Sequence, residues 1–317
     1  MSKKIDRRSF IKKTTAIGAA SLLGGGMISG CGNKKASQVK KVSNPGIAAV
    51  RGKDYSLNTR KAIEALGGME TFVAKDAKVA ILANPQRNNP GTYTKPQILQ
   101  ATIQMCKEAG ADNIGCISQL PLQNWQATGL KKVVDDEHID LIIIDRKDDS
   151  QFKTVPIPRG VALKEADIMK PFFDFDVFID MPITKDHAGN KFTGTMKNLM
   201  GLSSGKTNST FHKKGWQTEI NAIDHLDQCI ADLNTIIPPD LCITDATEII
   251  TTNGPFGPGK LINPRKVVAG TDRIAMDSYC CKLWGLEPED ILHIKKGHAH
   301  GLGEIDAAKI KIKELNA

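Results

Sequence analysis

Apolar residues fall into two kinds of run that alternate along this chain. Val79-Ala-Ile-Leu-Ala83, Ile114-Gly-Cys-Ile117, Ile139-Asp-Leu-Ile-Ile-Ile144 and Val177-Phe-Ile-Asp-Met181 are short and nearly continuous, as strands buried on both faces are. Leu241-Cys-Ile-Thr244 and Lys266-Val-Val-Ala269 repeat that pattern later. Between them the spacing becomes helical. Ile98, Thr102, Met105 and Ala109 share a face behind Pro96 and before Gly110, and Trp125 to Val134 reads as one helix. Ile220, Ile223, Leu226, Ile230 and Leu233 mark a long amphipathic helix. Asp272 is placed to cap a helix running to Gly285, and Pro288 to open the last one. The alternation predicts an α/β fold: a mostly parallel sheet with helices on both faces, Ile139–Ile144 reading as a central strand. A small extra lobe is expected around 184–220, where the alternation lapses. No Pro-, Gly- or Ser-rich linker divides residues 54–317, so they read as a single domain.

The first 53 residues follow different rules. Asp6-Arg7-Arg8-Ser9-Phe10-Ile11-Lys12-Lys13 matches a twin-arginine export signal, and the apolar run from Ala16 to Ile28 is too short and glycine-rich to span a membrane stably. It ends in Ile28-Ser29-Gly30-Cys31, a lipobox-like sequence in which Cys31 is the candidate lipidation site. Residues 1–30 thus read as a cleaved twin-arginine lipoprotein signal and 31–53 as a flexible basic tether. The expectation is an exported, membrane-anchored lipoprotein facing the periplasm or cell exterior, with the twin-arginine translocase as a partner during export and the membrane engaged through lipid on Cys31.

Charge changes meaning once this leader is set apart. The chain of 317 residues carries a formal +8, but the ten Lys and Arg of the first 41 residues, against Asp6 alone, account for +9. The remainder is close to neutral, which excludes a nucleic-acid-binding surface of the electrostatic kind. Beyond Cys31 there are six cysteines, none in a Cys-x-x-Cys pair, so iron–sulfur and zinc-ribbon spacings are absent. The adjacent Cys280 and Cys281 leave a disulfide or redox role open.

Three stretches carry candidate chemistry. Pro182 to Gly201 begins where a strand ends, the ligand-binding edge of open α/β sheets. Lys185, Lys197 and Asn198 are candidate anion or carbonyl contacts, His187 a candidate acid/base, and Thr193 or Thr195 a cap for a short helix whose free N–H groups favour an anion. In the second stretch, Asp245 ends a strand and is a candidate proton acceptor or metal ligand. Gly254, Gly257 and Gly259 of the following Gly-Pro-Phe-Gly-Pro-Gly loop could bring backbone amides close to a ligand, or simply build a rigid turn. The third is His298-Ala-His300, which with Asp245 (or Asp272 or Asp277) offers a mixed nitrogen and oxygen set for a divalent metal; a surface feature is the alternative. Serine-hydrolase and zincin signatures are missing.

These residues carry a resemblance. Lys185 with His187, Thr193-Gly194, Lys197-Asn198-Leu199-Met200-Gly201, Asp245, the glycine–proline loop, Thr271-Asp272 with Asp277, and Gly301-Leu302-Gly303 together resemble the family called domain of unknown function 362, over about residues 75–306. The resemblance implies an α/β architecture with a cleft but supplies no substrate. Some relatives append a ferredoxin-like module with eight cysteines, which this chain lacks, and Ala83 stands where relatives often have a lysine. The expected function is therefore an anion-binding cleft in an exported lipid-anchored enzyme, with no cofactor specified beyond a candidate divalent metal. The competing expectation is a non-catalytic accessory lipoprotein for a membrane-associated redox or maturation system.

Overall fold

Side chains along each strand of the main sheet point alternately to two separate apolar cores, and that alternation organises the molecule. The computed structural model describes residues 46–306 and 308–317. The signal peptide, Cys31 and the tether as far as residue 45 lie outside these residues. Fourteen strands are formed by the described residues: β1 (Ile47–Arg51), β2 (Lys78–Ala83), β3 (Asn113–Ser118), β4 (Asp140–Ile143), β5 (Phe152–Pro156), β6 (Glu165–Met169), β7 (Val177–Met181), β8 (Lys185–His187), β9 (Lys191–Thr193), β10 (Leu241–Ala246), β11 (Ile249–Ile250), β12 (Leu261–Ile262), β13 (Lys266–Gly270) and β14 (Ile312–Asn316). Eight make the main sheet, in the order β14-β1-β13-β10-β7-β2-β3-β4. Only β13 runs against the rest, antiparallel to both β1 and β10. The other pairings are parallel, as crossover connections through helices require.

The period-two alternation is visible in the packing. Ala80, Leu82, Phe178, Cys242 and Val268 face one core, and their neighbours Val79, Ile81, Ile179, Ile243 and Val267 face the other. The helices Tyr55–Ala65, Pro96–Glu108, Leu122–Ala127 and Leu130–Asp136 cover the second face. The helices Ile220–Asn234, Arg273–Lys282 and Leu292–Ala299 cover the first. The mostly parallel α/β sheet with helices on both faces is thus realised.

Local signals set the ends of several helices. The Asp54 side chain accepts from the Leu57 N–H at 2.9 Å, Pro96 opens its helix, and Gly110 sits at φ +86 just past the end. Asp272 caps as expected, accepting from Ala275 N–H.

Five expectations need correction. Ile47–Arg51, assigned to the tether, is a strand paired on both sides, and Ile47 to Val50 are buried. The stretch read as a central strand is β4 at the sheet edge, only partly buried, because nothing pairs beyond it. The helix expected from Trp125 to Val134 is broken in two by Gly129 at φ +76, and Pro288 opens a single 3-10 turn before the helix at Leu292–Ala299. The small lobe expected around 184–220 does not stand apart. Phe192, Met196, Leu199, Leu202 and Phe211 pack into the first core, which lays this segment over the C-terminal edge of the sheet.

Candidate functional site

The parallel strands end in polar residues, and those ends surround a cavity of about 430 Å³. Asn84 follows β2, Ser118 and Gln119 lie at the end of β3, and Arg146 lies just past β4. The β8–β9 hairpin contributes Lys185, His187 and Thr193, and the helix Thr195–Asn198 contributes Lys197 and Asn198. His212 and Trp216 close another side, and Gly254 with Pro255 and Phe256 another. Sequence-expected Lys185, His187, Lys197, Asn198 and Gly254 therefore meet around one hollow, although they are up to 69 positions apart.

One wall is an oriented hydrogen-bond chain. Lys185 Nζ donates to Asn84 Oδ1 at 3.0 Å and to the Thr92 carbonyl at 2.8 Å. Asn84 Nδ2 donates to Asn198 Oδ1 at 2.8 Å, and Asn198 Nδ2 donates to Asp180 Oδ1 at 2.7 Å and to the Leu82 carbonyl at 3.1 Å. Every amide atom in this chain has its direction fixed, so Asn198 holds the cavity floor to β2 and β7. Burial pushes the Lys185 ammonium down to about 7, reinforced by the nearby charge of Lys197.

Lys197 is differently placed. It is 7% exposed, and among the described residues its Nζ has one hydrogen-bond partner, the Met200 sulfur at 3.5 Å, a weak acceptor. Burial lowers its ammonium to about 8, with the Asp227 charge acting the other way. Neither lysine joins an ion pair among the described residues. Two imidazoles sit beside Lys197. His187 Nδ1 is 2.6 Å from the Ala188 carbonyl, and His212 Nδ1 is 2.9 Å from the Asn208 carbonyl. A carbonyl only accepts, so both rings carry their proton on Nδ1 and present Nε2 as an acceptor. Burial, then the charge of Lys197, depress His187 to about 2 and His212 to about 4. Trp216 lies against both rings, at centroid distances of 5.4 and 4.8 Å. Thr193 Oγ1 and Gln119 Oε1, on cavity-lining residues, are buried without a protein partner.

Other expected residues are held elsewhere. Asp245 shares the strand parity of Leu241 and Ile243, so its side chain leaves the sheet on the face opposite the cavity. There it accepts from Lys95 N–H at 2.8 Å and from the Thr247 N–H and hydroxyl at 2.9 and 2.7 Å, joining a helix entry to a turn. Neither a catalytic nor a metal role follows for it. The glycine–proline loop also differs from a ligand cradle: Gly254 N–H is taken by Asp186 Oδ2 at 2.8 Å and Gly257 N–H by the Asn253 carbonyl. A Cβ on Gly254 would lie 1.8 Å from the Asp186 carbonyl oxygen, and one on Gly259 1.9 Å from that of Thr252. The rigid-turn reading holds here, and Gly257 and Gly259 do not line the cavity. The anion at the short helix N-terminus is internal. Asp277 accepts from Thr195 and Met196 N–H at 2.6 and 2.9 Å, with Gly194 leaving room for its carboxylate.

The proposed metal set is dispersed. His298 Nδ1 pairs with the Gly303 carbonyl and His300 Nε2 with Asp232, neither near a partner of Asp245. Among the described residues no group of three His, Cys, Asp or Glu could hold a metal ion. A divalent cation also does not fit the cavity, whose lining holds Lys185, Lys197 and Arg146 but no carboxylate. Cys280 and Cys281 are unpaired and buried, and burial pushes both thiols up, which removes the basis for a redox pair.

Asn84, Gln119, Arg146, His212 and Trp216 were not singled out from sequence. The first three share the signal that found Lys185, a polar residue in the segment that follows a parallel strand. His212 and Trp216 follow a seven-residue helix, and no spacing rule points to them.

Among known proteins, the chain is 26% identical over 244 residues to a thylakoid-associated protein of Synechocystis sp., covering 73% of this chain and 70% of that one. The lactate racemase apoprotein from Thermoanaerobacterium thermosaccharolyticum shares the fold, with a TM-score of 0.50 and 16% identity over 78% of this chain and 58% of that one. A Thermotoga maritima protein aligns with a TM-score of 0.46 and 13% identity, over 74% of this chain and 60% of its own. The family model for Domain of unknown function (DUF362) matches residues 78–282, which contain every strand-end residue of the cavity, and the chain belongs to that family.

Proposed function

We propose that the cavity binds a small carboxylate-bearing molecule, and that the protein is an exported, lipid-anchored enzyme acting on it. The carrying observation is the imbalance of the lining: Lys185, Lys197 and Arg146 face one hollow to which no Asp or Glu contributes. Burying two ammonium groups together is unfavourable unless something negative joins them. A carboxylate supplies that charge, and the Lys197 donors, which the protein leaves almost unmet, supply its hydrogen bonds. A volume of about 430 Å³ suits a small metabolite.

Arrival of the anion also changes His187. Part of what holds its imidazole down is the charge of Lys197 and Lys185, which a bound carboxylate offsets. His187 Nε2 then becomes a stronger base only when the cavity is filled, a coupling that favours turnover over passive storage. No metal takes part in this reading. Membrane attachment is assigned to lipid on Cys31, on the lipobox-like Ile28-Ser29-Gly30-Cys31, and the Synechocystis relative is named for a membrane location.

The test is thermal unfolding with oxalate, malonate, phosphate or a neutral sugar added. Small carboxylates should raise the melting temperature in proportion to log concentration, by about 2.7 kcal/mol of stability at a hundredfold excess over Kd. Lys197→Met should remove most of that shift. An equal response in the variant, or none in the native protein, would falsify the assignment.

A further inference from the structure

We infer that Lys197 is a nucleophilic amine that forms an imine with the carbonyl of a 2-oxo acid held in the cavity. This rests on the anion-binding reading above and names its substrate class and chemistry.

The two lysines are not equivalent. Lys185 Nζ donates to two oxygens, Asn84 Oδ1 and the Thr92 carbonyl, which anchor it to the cavity wall, so it cannot advance on a bound carbonyl without giving up both hydrogen bonds. Lys197 Nζ touches only a thioether sulfur and lines the hollow. It is the amine there without an oxygen acceptor to hold it. Beside it stand two imidazoles whose Nδ1 protons are committed to backbone carbonyls, leaving two Nε2 lone pairs to accept protons. Lys197 meets the anion as an ammonium, and once it has given up a proton Lys185 and Arg146 remain to hold the carboxylate. An amine, proton acceptors and a carboxylate site around one small cavity match a molecule with a carbonyl adjacent to its carboxylate. Burial also brings the Lys197 amine into its neutral form near physiological pH, the usual route to a reactive lysine.

The step balances without an external oxidant or reductant. The Lys197 lone pair forms a C–N bond to the carbonyl carbon, and the π electrons move to oxygen. An imidazole Nε2 carries the two amine protons in turn to that oxygen. The C–O bond then breaks, water leaves, and a C=N bond remains. The imine draws electrons from the neighbouring carbon, which prepares that carbon for proton exchange or bond cleavage.

The experiment uses the mature protein with glyoxylate or pyruvate, with and without sodium cyanoborohydride. With reductant, the intact mass should rise by the probe less one oxygen atom, and peptide mapping should place the adduct on Lys197. Lys197→Arg, which keeps a cation but cannot form an imine, should still gain thermal stability from the probe yet lose the adduct at least tenfold. If the native protein is stabilised by the probe but never labelled, the imine is wrong and the anion site stands. If it is neither stabilised nor labelled, both fail. Adducts spread over other lysines and undiminished in Lys197→Arg would also overturn the assignment.

Discussion

Lys185 and Lys197 lie in the same cavity, yet the atoms around them predict opposite responses to removal. Replacing Lys197 by Met deletes a buried charge whose one hydrogen-bond partner among the described residues is a sulfur, and the new side chain packs beside Met200. Unliganded Lys197→Met should therefore be more stable than the native protein, on the order of 1–3 kcal/mol near pH 7. Lys185→Met deletes a similar charge but strands Asn84 Oδ1 and the Thr92 carbonyl, each at about 1–3 kcal/mol. Its gain should be cancelled or reversed. Urea denaturation of the two variants side by side checks the ranking, and Lys185→Met emerging as the more stable would show that its hydrogen bonds contribute little. The strand-end rule identified both lysines but could not rank them, because the ranking depends on Asn84 and Thr92, about a hundred positions away.

At the scale of elements, the short helix Thr195–Asn198 carries two of the cavity residues and is held by Asp277 from the helix Arg273–Lys282. Asp277→Ala would leave two buried N–H groups without acceptors, which should cost about 2–5 kcal/mol and shift Lys197 away from the cavity. Gly194→Ala should do similar damage, since its Cβ would lie 2.3 Å from Asp277 Oδ1. In both variants the carboxylate-dependent thermal shift should shrink along with the stability; a full shift in a destabilised variant would detach this helix from ligand binding. Much of the element scale was legible beforehand, because continuous apolar runs and helical spacing are local properties. What was missed depends on neighbours. β4 looks central by composition, but its edge position is set by sheet order, which no single strand encodes. Asp245 was read as facing a cleft because it ends a strand, although counting parity from Leu241 and Ile243 already sets it on their face. Which face carries the cavity was not readable, since that depends on residues 184–216 folding across one side only. Neither Thr193 nor Thr195 caps the short helix: Gly194 holds the N-cap position without a side-chain hydrogen bond, and the N–H groups expected to favour an anion are taken by the protein's own Asp277.

For the whole molecule, the buried lysines set how stability varies with pH. In the unfolded chain both titrate near the ordinary lysine value of 10.5, and in the folded cavity near 7 and 8. From about pH 7 to 10.5 the unfolded state thus binds more protons at these lysines, so their contribution to stability rises with pH across this window, by at most about 1.4 kcal/mol per pH unit for each proton. Below pH 7 both lysines are charged in either state and the slope from them vanishes. Above about pH 8 the opposing groups enter, since buried Cys106, Cys116, Cys229, Cys242, Cys280, Cys281 and Tyr279 hold their protons to higher pH when folded. The unliganded protein should therefore gain stability from pH 7 to about 8 and lose it above about pH 9. A saturating carboxylate keeps both lysines protonated in the folded state, so it should stabilise most near pH 6–7 and progressively less toward pH 9. Urea midpoints at pH 6, 7, 8 and 9, with and without oxalate, measure both trends, and the Lys185→Met/Lys197→Met double variant isolates their source. If that variant keeps the native slope between pH 7 and 8, the lysines are not its origin. If it flattens the slope and abolishes the oxalate effect together, one pair of buried ammonium groups governs both the pH dependence of stability and the recognition of the anion.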